Sequence, residues 1–266
     1  MLVGAFFVPT TPALTPEVGR GREREAVRTV AALRRAGRLV RGLAPDALVV
    51  ITAGDDEAPR VLVPNGPGLR RPFEPLDAPE LALTDPLDAS LAEAIAGEVR
   101  QPATDPMSVW PTEALTALFF LSTAASIPTA GVSVPRADPA AAVALGRAIA
   151  GASARRRQVV AVAAGELYSR LFPGAAGGFY PDAADFDQAV LRALGARDVE
   201  ALAALFDPRN EAGADGLAPL TALMATMDEG WASEVLSYEF PFGIGYVVAA
   251  ATPAVAPPAP VLPTDS

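Results

Sequence analysis

Short apolar runs alternate with amphipathic stretches along almost the whole chain. Leu2 to Val8 is an apolar run of strand length, stopped by Pro9 and followed by the Pro9-Thr10-Thr11-Pro12 turn. Gly21 to Leu43 carries Val27, Val30, Leu33, Val40 and Leu43 at helical spacing and is expected to be a helix ended by Ala44-Pro45-Asp46. Ala47 to Thr52 reads as a strand covered on both faces, and Val61 to Val63 as a short strand inside a proline-broken stretch.

Asp85-Pro86 has the form of an N-cap acid with proline at the first helical position, and Asp138-Pro139 repeats it before Ala140 to Ala150. Thr104 to Pro111 is expected to be a loop holding Trp110, and Thr112 to Ser126 an apolar helix. Ile127 to Val134 and Gln158 to Ala164 are further strands; the Gly174 to Pro181 loop lacks the order of a dinucleotide site. Helices follow from Asp185, Val199 and Leu217, and Glu234 to Ala251 holds the last strand or strand pair.

Strands alternating with helices predict a single α/β domain over residues 1–251, with a mostly parallel central sheet flanked by helices. Residues 252–266, rich in Pro and Ala, are expected to be a disordered tail. In such sheets ligands sit beyond the carboxyl ends of the strands, which directs attention to Thr10 and Thr11.

Composition narrows the chemistry sharply. The chain has no His, no Cys and no Lys; all 21 basic residues are Arg. Zinc and iron–sulfur sites of the usual kind, thiolate nucleophiles, a Ser-His-Asp triad and a Schiff-base lysine are all excluded. Acid–base work falls to Asp, Glu or Tyr, and a metal would need oxygen ligands, favouring Mg, Mn or Ca.

A net charge of −10 argues against a nucleic-acid partner. No basic leader precedes the first apolar run, and Ala114 to Ala125 is too short to span a bilayer, so a cytoplasmic protein without a membrane partner is expected. The arginines at 24, 28, 34, 35, 38 and 41 read as a solvated basic face rather than a phosphate or acidic-partner site. Asp55-Asp56-Glu57 at a strand exit is either a solvated acidic loop, the favoured reading, or a hard-metal site.

Three stretches, in order, resemble the class III extradiol ring-cleavage dioxygenases, in particular their catalytic chain and its small stand-alone actinobacterial members. They are Val8 to Leu14 (VPTTPAL), where the family shows Pro-His-Pro-Pro; Val159 to Leu171 (VVAVAAGELYSRL), with Phe186-Asp187 and the run Ala193 to Leu202; and Trp231 to Val248 around Tyr238-Glu239-Phe240-Pro241-Phe242-Gly243. The resemblance implies the α/β fold of the class III extradiol dioxygenase catalytic chain and an Fe(II) held by two His and one carboxylate, with a further His as acid/base. Carried onto this chain, the first ligand falls on Thr10, the second near Ala53 to Asp55, the acid/base at about Ser169, and the carboxylate on Glu239 or, less well, Glu234. Only the carboxylate survives, so no cofactor is expected where the family would use Fe(II).

Three functions remain open. The leading one is a dioxygenase-like protein without iron chemistry that binds a small molecule or a partner protein, with homo-oligomerisation also open. The second is a repurposed enzyme with Asp55, Asp56, Glu166 and Glu239 around Mg or Mn; Asp55, Glu166 and Glu239 are the metal candidates. The third is a ring-cleaving dioxygenase whose missing ligands come from a partner. Tyr168, Tyr238, Glu239 and Tyr246 are candidate pocket residues; the tyrosines are otherwise ordinary core-edge residues.

Overall fold

The structure, a computed structural model, describes residues 1–54, 58–64, 68–81, 83–99, 103–122, 127–156, 158–175, 178–206 and 215–254. Its strands are β1 (Leu2–Val8), β2 (Ala47–Gly54), β3 (Arg60–Pro64), β4 (Leu69–Arg70), β5 (Thr84–Asp85), β6 (Ala103–Met107), β7 (Thr129–Pro135), β8 (Val159–Ala164), β9 (Trp231–Glu239) and β10 (Tyr246–Pro253). The helices are α1 (Pro16–Gly19), α2 (Val27–Leu43), α3 (Ala89–Glu98), α4 (Leu115–Leu121), α5 (Pro139–Ala154), α6 (Ala183–Ala196), α7 (Val199–Ala203) and α8 (Leu217–Met224).

Eight strands form one sheet in the order β6-β3-β7-β2-β8-β1-β10-β9, and β4 and β5 pair separately. At its centre β7, β2, β8 and β1 run parallel, with Ala5 opposite Ala161 and Val49 opposite both Ala130 and Ala161. These strands are apolar because helices cover both faces. On one face Phe7, Val49 and Ala161 pack in a core with Leu145, Leu220 and Ile95 of α5, α8 and α3. On the other, Phe6, Val8 and Val162 pack with Leu33 and Val40 of α2 and Leu121 of α4.

The mostly parallel sheet expected from strand–helix alternation is in fact a mixed one. β10 lies antiparallel to both β1 and β9, and β3 lies antiparallel to β7. The physical reason is connection length. A parallel neighbour needs a crossover of a dozen or more residues, whereas β9 and β10 are joined by a short turn at Phe240 to Gly245. What holds is a single α/β domain with a mixed sheet flanked by helices.

Several boundaries also move. The helix expected to begin at Asp85 starts at Ala89, and Asp88 is its cap, accepting from Leu91 N at 2.9 Å. Asp85 is instead buried in β5, held by both Nε and Nη2 of Arg71 at 2.9 and 2.7 Å. Local capping preference lost to a buried ion pair. The Asp138 cap forms as expected, accepting from Ala141 N at 2.9 Å. The stretch expected as a loop at 104–111 contains β6, paired to β3. The last strand runs to Pro253, past the expected end of the domain; residues 255–266 of the expected tail lie outside the described residues. Among the described residues no helix is long and apolar enough to cross a membrane.

Candidate functional site

β1 and β8 are parallel neighbours, so their carboxyl ends deliver Thr10-Thr11 and Glu166 to the same place. Pro9 and Pro12 keep the intervening turn out of regular structure, and both threonine amides are thereby released from ladder pairing. They point at one carboxylate. Glu166 Oε1 accepts from Thr10 N at 3.1 Å, Thr11 N at 2.7 Å and Thr11 Oγ1 at 2.6 Å, and Oε2 accepts from Thr10 Oγ1 at 2.5 Å. Thr116 of α4 holds the turn from behind, donating to Thr10 O at 2.7 Å.

The backbone of Glu166 is fixed as firmly as its side chain. Its N–H donates to Asp215 Oδ1 at 2.7 Å, and its carbonyl accepts from Gly216 N at 2.9 Å. This close pass of two segments requires glycine on both sides. A Cβ on Gly165 would collide with Gly216 Cα, and one on Gly216 would meet Glu166 O at 2.7 Å. Asp215 is therefore brought against Glu166 by the close pass of the two backbones and by its own carboxylate accepting from Glu166 N.

Burial and the Glu166 charge push the Asp215 carboxyl up to about 7, against the opposing pull of its hydrogen bond and of Arg136, 3.8 Å away; Glu113 pushes it further up. A carboxyl poised there can hold or release a proton near neutrality. Asp215 and Arg136 keep 21% and 38% of their side chains accessible, so both reach solvent at the strand ends. Tyr246, at the start of β10, closes the other side, its hydroxyl 3.1 Å from Thr11 Oγ1. Burial drives this phenol up to about 12, so it stays protonated at physiological pH.

The residues singled out in the sequence separate into two groups. Thr10, Thr11, Glu166 and Tyr246 come together. Glu239 does not join them: its carboxylate caps the amino-terminal turn of α2, accepting from Thr29 N at 2.6 Å and Arg28 Nε at 3.2 Å. Acidic groups are favoured at that end of a helix. Glu234 of β9 pairs with Arg35 of α2. Ser169 forms a β-bridge with Ile244. Asp55 and Asp56 lie outside the described residues.

Tyr168 stacks on Tyr180 with ring centroids 5.6 Å apart and meets Phe186 edge-on at 5.5 Å. Tyr238 donates to Asp187 Oδ2 at 2.8 Å, and Asp187 Oδ1 accepts from Tyr168 N at 2.9 Å. Asp187 is fully buried on α6, and burial raises its carboxyl to about 6. Neither Asp215, Arg136 nor the anchoring role of Asp187 was flagged by the sequence. The one available signal was Asp215-Gly216 immediately before an apolar helical run.

The site does not fit a family-type iron centre. Threonine hydroxyls are poor ligands in place of imidazoles, and those of Thr10 and Thr11 are already donated to Glu166. Both Glu166 oxygens are occupied in turn. Among the described residues no group of three or more Asp or Glu side chains is placed to hold a metal.

No family model and no curated protein matches the chain. Its architecture is similar to the crystal structure of the uncharacterized protein JW3007 from Escherichia coli K12. The two superpose with a TM-score of 0.65 at 16% identity, over 94% of this chain and 99% of the other. At that identity the likeness shows a shared fold.

Proposed function

We propose that this chain is a protein like the catalytic chain of the class III extradiol dioxygenases, with the iron centre replaced by a glutamate–threonine clamp. It acts by binding a small polar molecule at the strand ends, not by cleaving rings. The observation that carries this reading is the hydrogen bonding of both Glu166 oxygens by the Thr10-Thr11 turn. Four donors from the Thr10-Thr11 turn, two amides and two hydroxyls, converge on it, three on Oε1 and one on Oε2, and a metal would have to displace them. The groups left accessible, the Asp215 carboxyl and the Arg136 guanidinium, suit a ligand carrying both a donor and an acceptor.

The test is anaerobic calorimetry with Fe(II), Mn(II) and Mg(II), followed by a catechol-cleavage assay on whatever binds. The expected result is no stoichiometric metal and no ring cleavage. Tight iron with turnover would overturn the reading.

A second reading is favoured by one observation, the Asp215 carboxyl raised to about 7 beside Glu166. It is a metal-independent enzyme in which Asp215 moves a proton. The Mg or Mn version, built on Asp55, Asp56, Glu166 and Glu239, draws less support, because Glu239 is spent on α2.

A further inference from the structure

Helix α2 carries five arginines and no acid in a chain of net charge −10. Two of the five are accounted for by β9: Arg28 by Glu239, and Arg35 by a two-pronged pair with Glu234 at 3.0 and 2.9 Å. The other three, Arg34, Arg38 and Arg41, fall on an adjacent face, at successive helical turns. Together with Pro16, Glu17, Phe119 and Phe120 they line a cleft of about 410 Å³. No residue of the Glu166 cluster takes part in it.

The cleft owes its shape to a helix crossing. Gly37 presses α2 directly onto the carbonyl of Phe120, where a Cβ would collide. That approach sets the Phe119–Phe120 pair, edge to face at 4.9 Å, beside the guanidinium groups. Arg34 and Arg38 make no hydrogen bond or ion pair among the described residues, and both are exposed. The expectation of a merely solvated basic face does not explain why these charges share a concave site with aromatic rings. Like charges four residues apart on a helix repel. The helix dipole favours cations only in the last turn, which accounts for Arg41 but not Arg34.

We propose that this cleft binds a small organic anion, with a phosphate or carboxylate head on an apolar, ring-sized body. The guanidinium groups of Arg34 and Arg38 take the head, since arginine matches both oxyanions with paired N–H donors. The Phe119 and Phe120 side takes the body. Glu17 sets the orientation: it repels the anionic head, and its Oε2, which has no donor among the described residues, accepts from a hydroxyl or amide on the ligand. The volume is that of an ordinary small-molecule site.

Titration calorimetry at low salt tests this with phenyl phosphate, benzoate and inorganic phosphate as probes. Phenyl phosphate or benzoate is expected to saturate one site per chain, and the stronger of the two identifies the head group. The R34Q/R38Q double variant should weaken that binding by about tenfold or more, while R35Q, on the neighbouring face, should leave it within about twofold. Affinity should fall as salt is added. The substituted side chains are on the surface, and circular dichroism checks that each variant is folded. Failure of both organic anions to saturate at millimolar concentration overturns the proposal. So does an equal loss in R35Q, which means diffuse charge attraction. Inorganic phosphate binding as tightly as phenyl phosphate overturns the role of the phenylalanines.

Discussion

Thr10 and Glu166, 156 positions apart in the chain, are joined by two hydrogen bonds, one from the threonine amide and one from its hydroxyl. With the two bonds from Thr11, the pair ties the turn after the first strand to the loop after the fourth strand of the parallel centre.

Breaking that contact should cost more than an ordinary surface polar change. Glu166→Gln turns one acceptor oxygen into an N–H donor facing a hydroxyl or two amides, and removes charge from the remaining bonds. A loss of about 2–4 kcal/mol is expected from denaturant unfolding. Thr10→Val, which keeps shape, should cost about 1–2 kcal/mol. The double variant should lose at least roughly 1 kcal/mol less than the sum. Strict additivity would mean the two residues do not act as one clamp.

Asp215 should titrate close to neutrality, and its position should respond to its neighbours in opposite directions. In carboxyl-carbon NMR the wild-type midpoint is expected at about 7. Glu166→Gln removes the repelling charge and should lower it; Arg136→Gln removes the attracting one and should raise it. A wild-type midpoint near 4 would remove the ground for proton transfer at this residue.

Asp187 supplies a pH-dependent part of the stability. Its folded carboxyl sits at about 6, above the ordinary 3.8, so the protonated form is the one the fold favours. The associated stability is fully present below about pH 4 and is lost as pH rises through 6. Asp187→Asn lacks this dependence while keeping an acceptor for Tyr168 N and a donor for the Tyr238 hydroxyl. The stability of wild type relative to Asp187→Asn should therefore fall by roughly 2–3 kcal/mol between pH 4 and pH 7. A constant difference across that range would contradict the assignment.

The Arg71–Asp85 pair predicts an asymmetry. Both side chains are almost wholly buried, 4% and 5% exposed. Arg71→Ala strands a carboxylate in the core and should cost about 3–5 kcal/mol, whereas Arg71→Met with Asp85→Leu should cost much less. Thermal unfolding of the two variants decides it. A double variant as unstable as the single one would mean that shape, not charge, is what the site requires.

The strands of the parallel centre were legible because each is a continuous apolar run with a proline or polar exit. Leu2–Val8 is observed with the bounds its pattern implies, and Val159–Ala164 starts one residue later than expected. The antiparallel margins were not legible. Nothing in the local pattern of β10, buried on both faces like its parallel neighbours, distinguishes its direction. The Asp85 cap was misread because capping is judged from a few adjacent residues, while its competitor, Arg71, sits fourteen positions back. In the site, Thr10, Thr11 and Glu166 could each be placed at a strand end, but their pairing, and the presence of Asp215, could not. Glu166 and Asp215 meet through a backbone contact between Gly165 and Gly216, and such a contact leaves no periodic trace. Glu239 drew attention through its aromatic neighbours, yet the geometry that matters to it is the start of α2.

The position of β1 carries a consequence for how the chain is made. It lies inside the sheet, with β8 on one side and β10 on the other, so both of its partners are synthesised long after it. Until residues 159–164 emerge, this first apolar strand has neither edge paired. Until residues 246–253 follow, it still offers one open edge. A chain growing from its amino end must shelter that strand for most of its synthesis, with α2 as the nearest cover for one face. Interrupted translation products ending before Tyr246 are accordingly expected to be sticky, captured by chaperones or lost to strand-to-strand association.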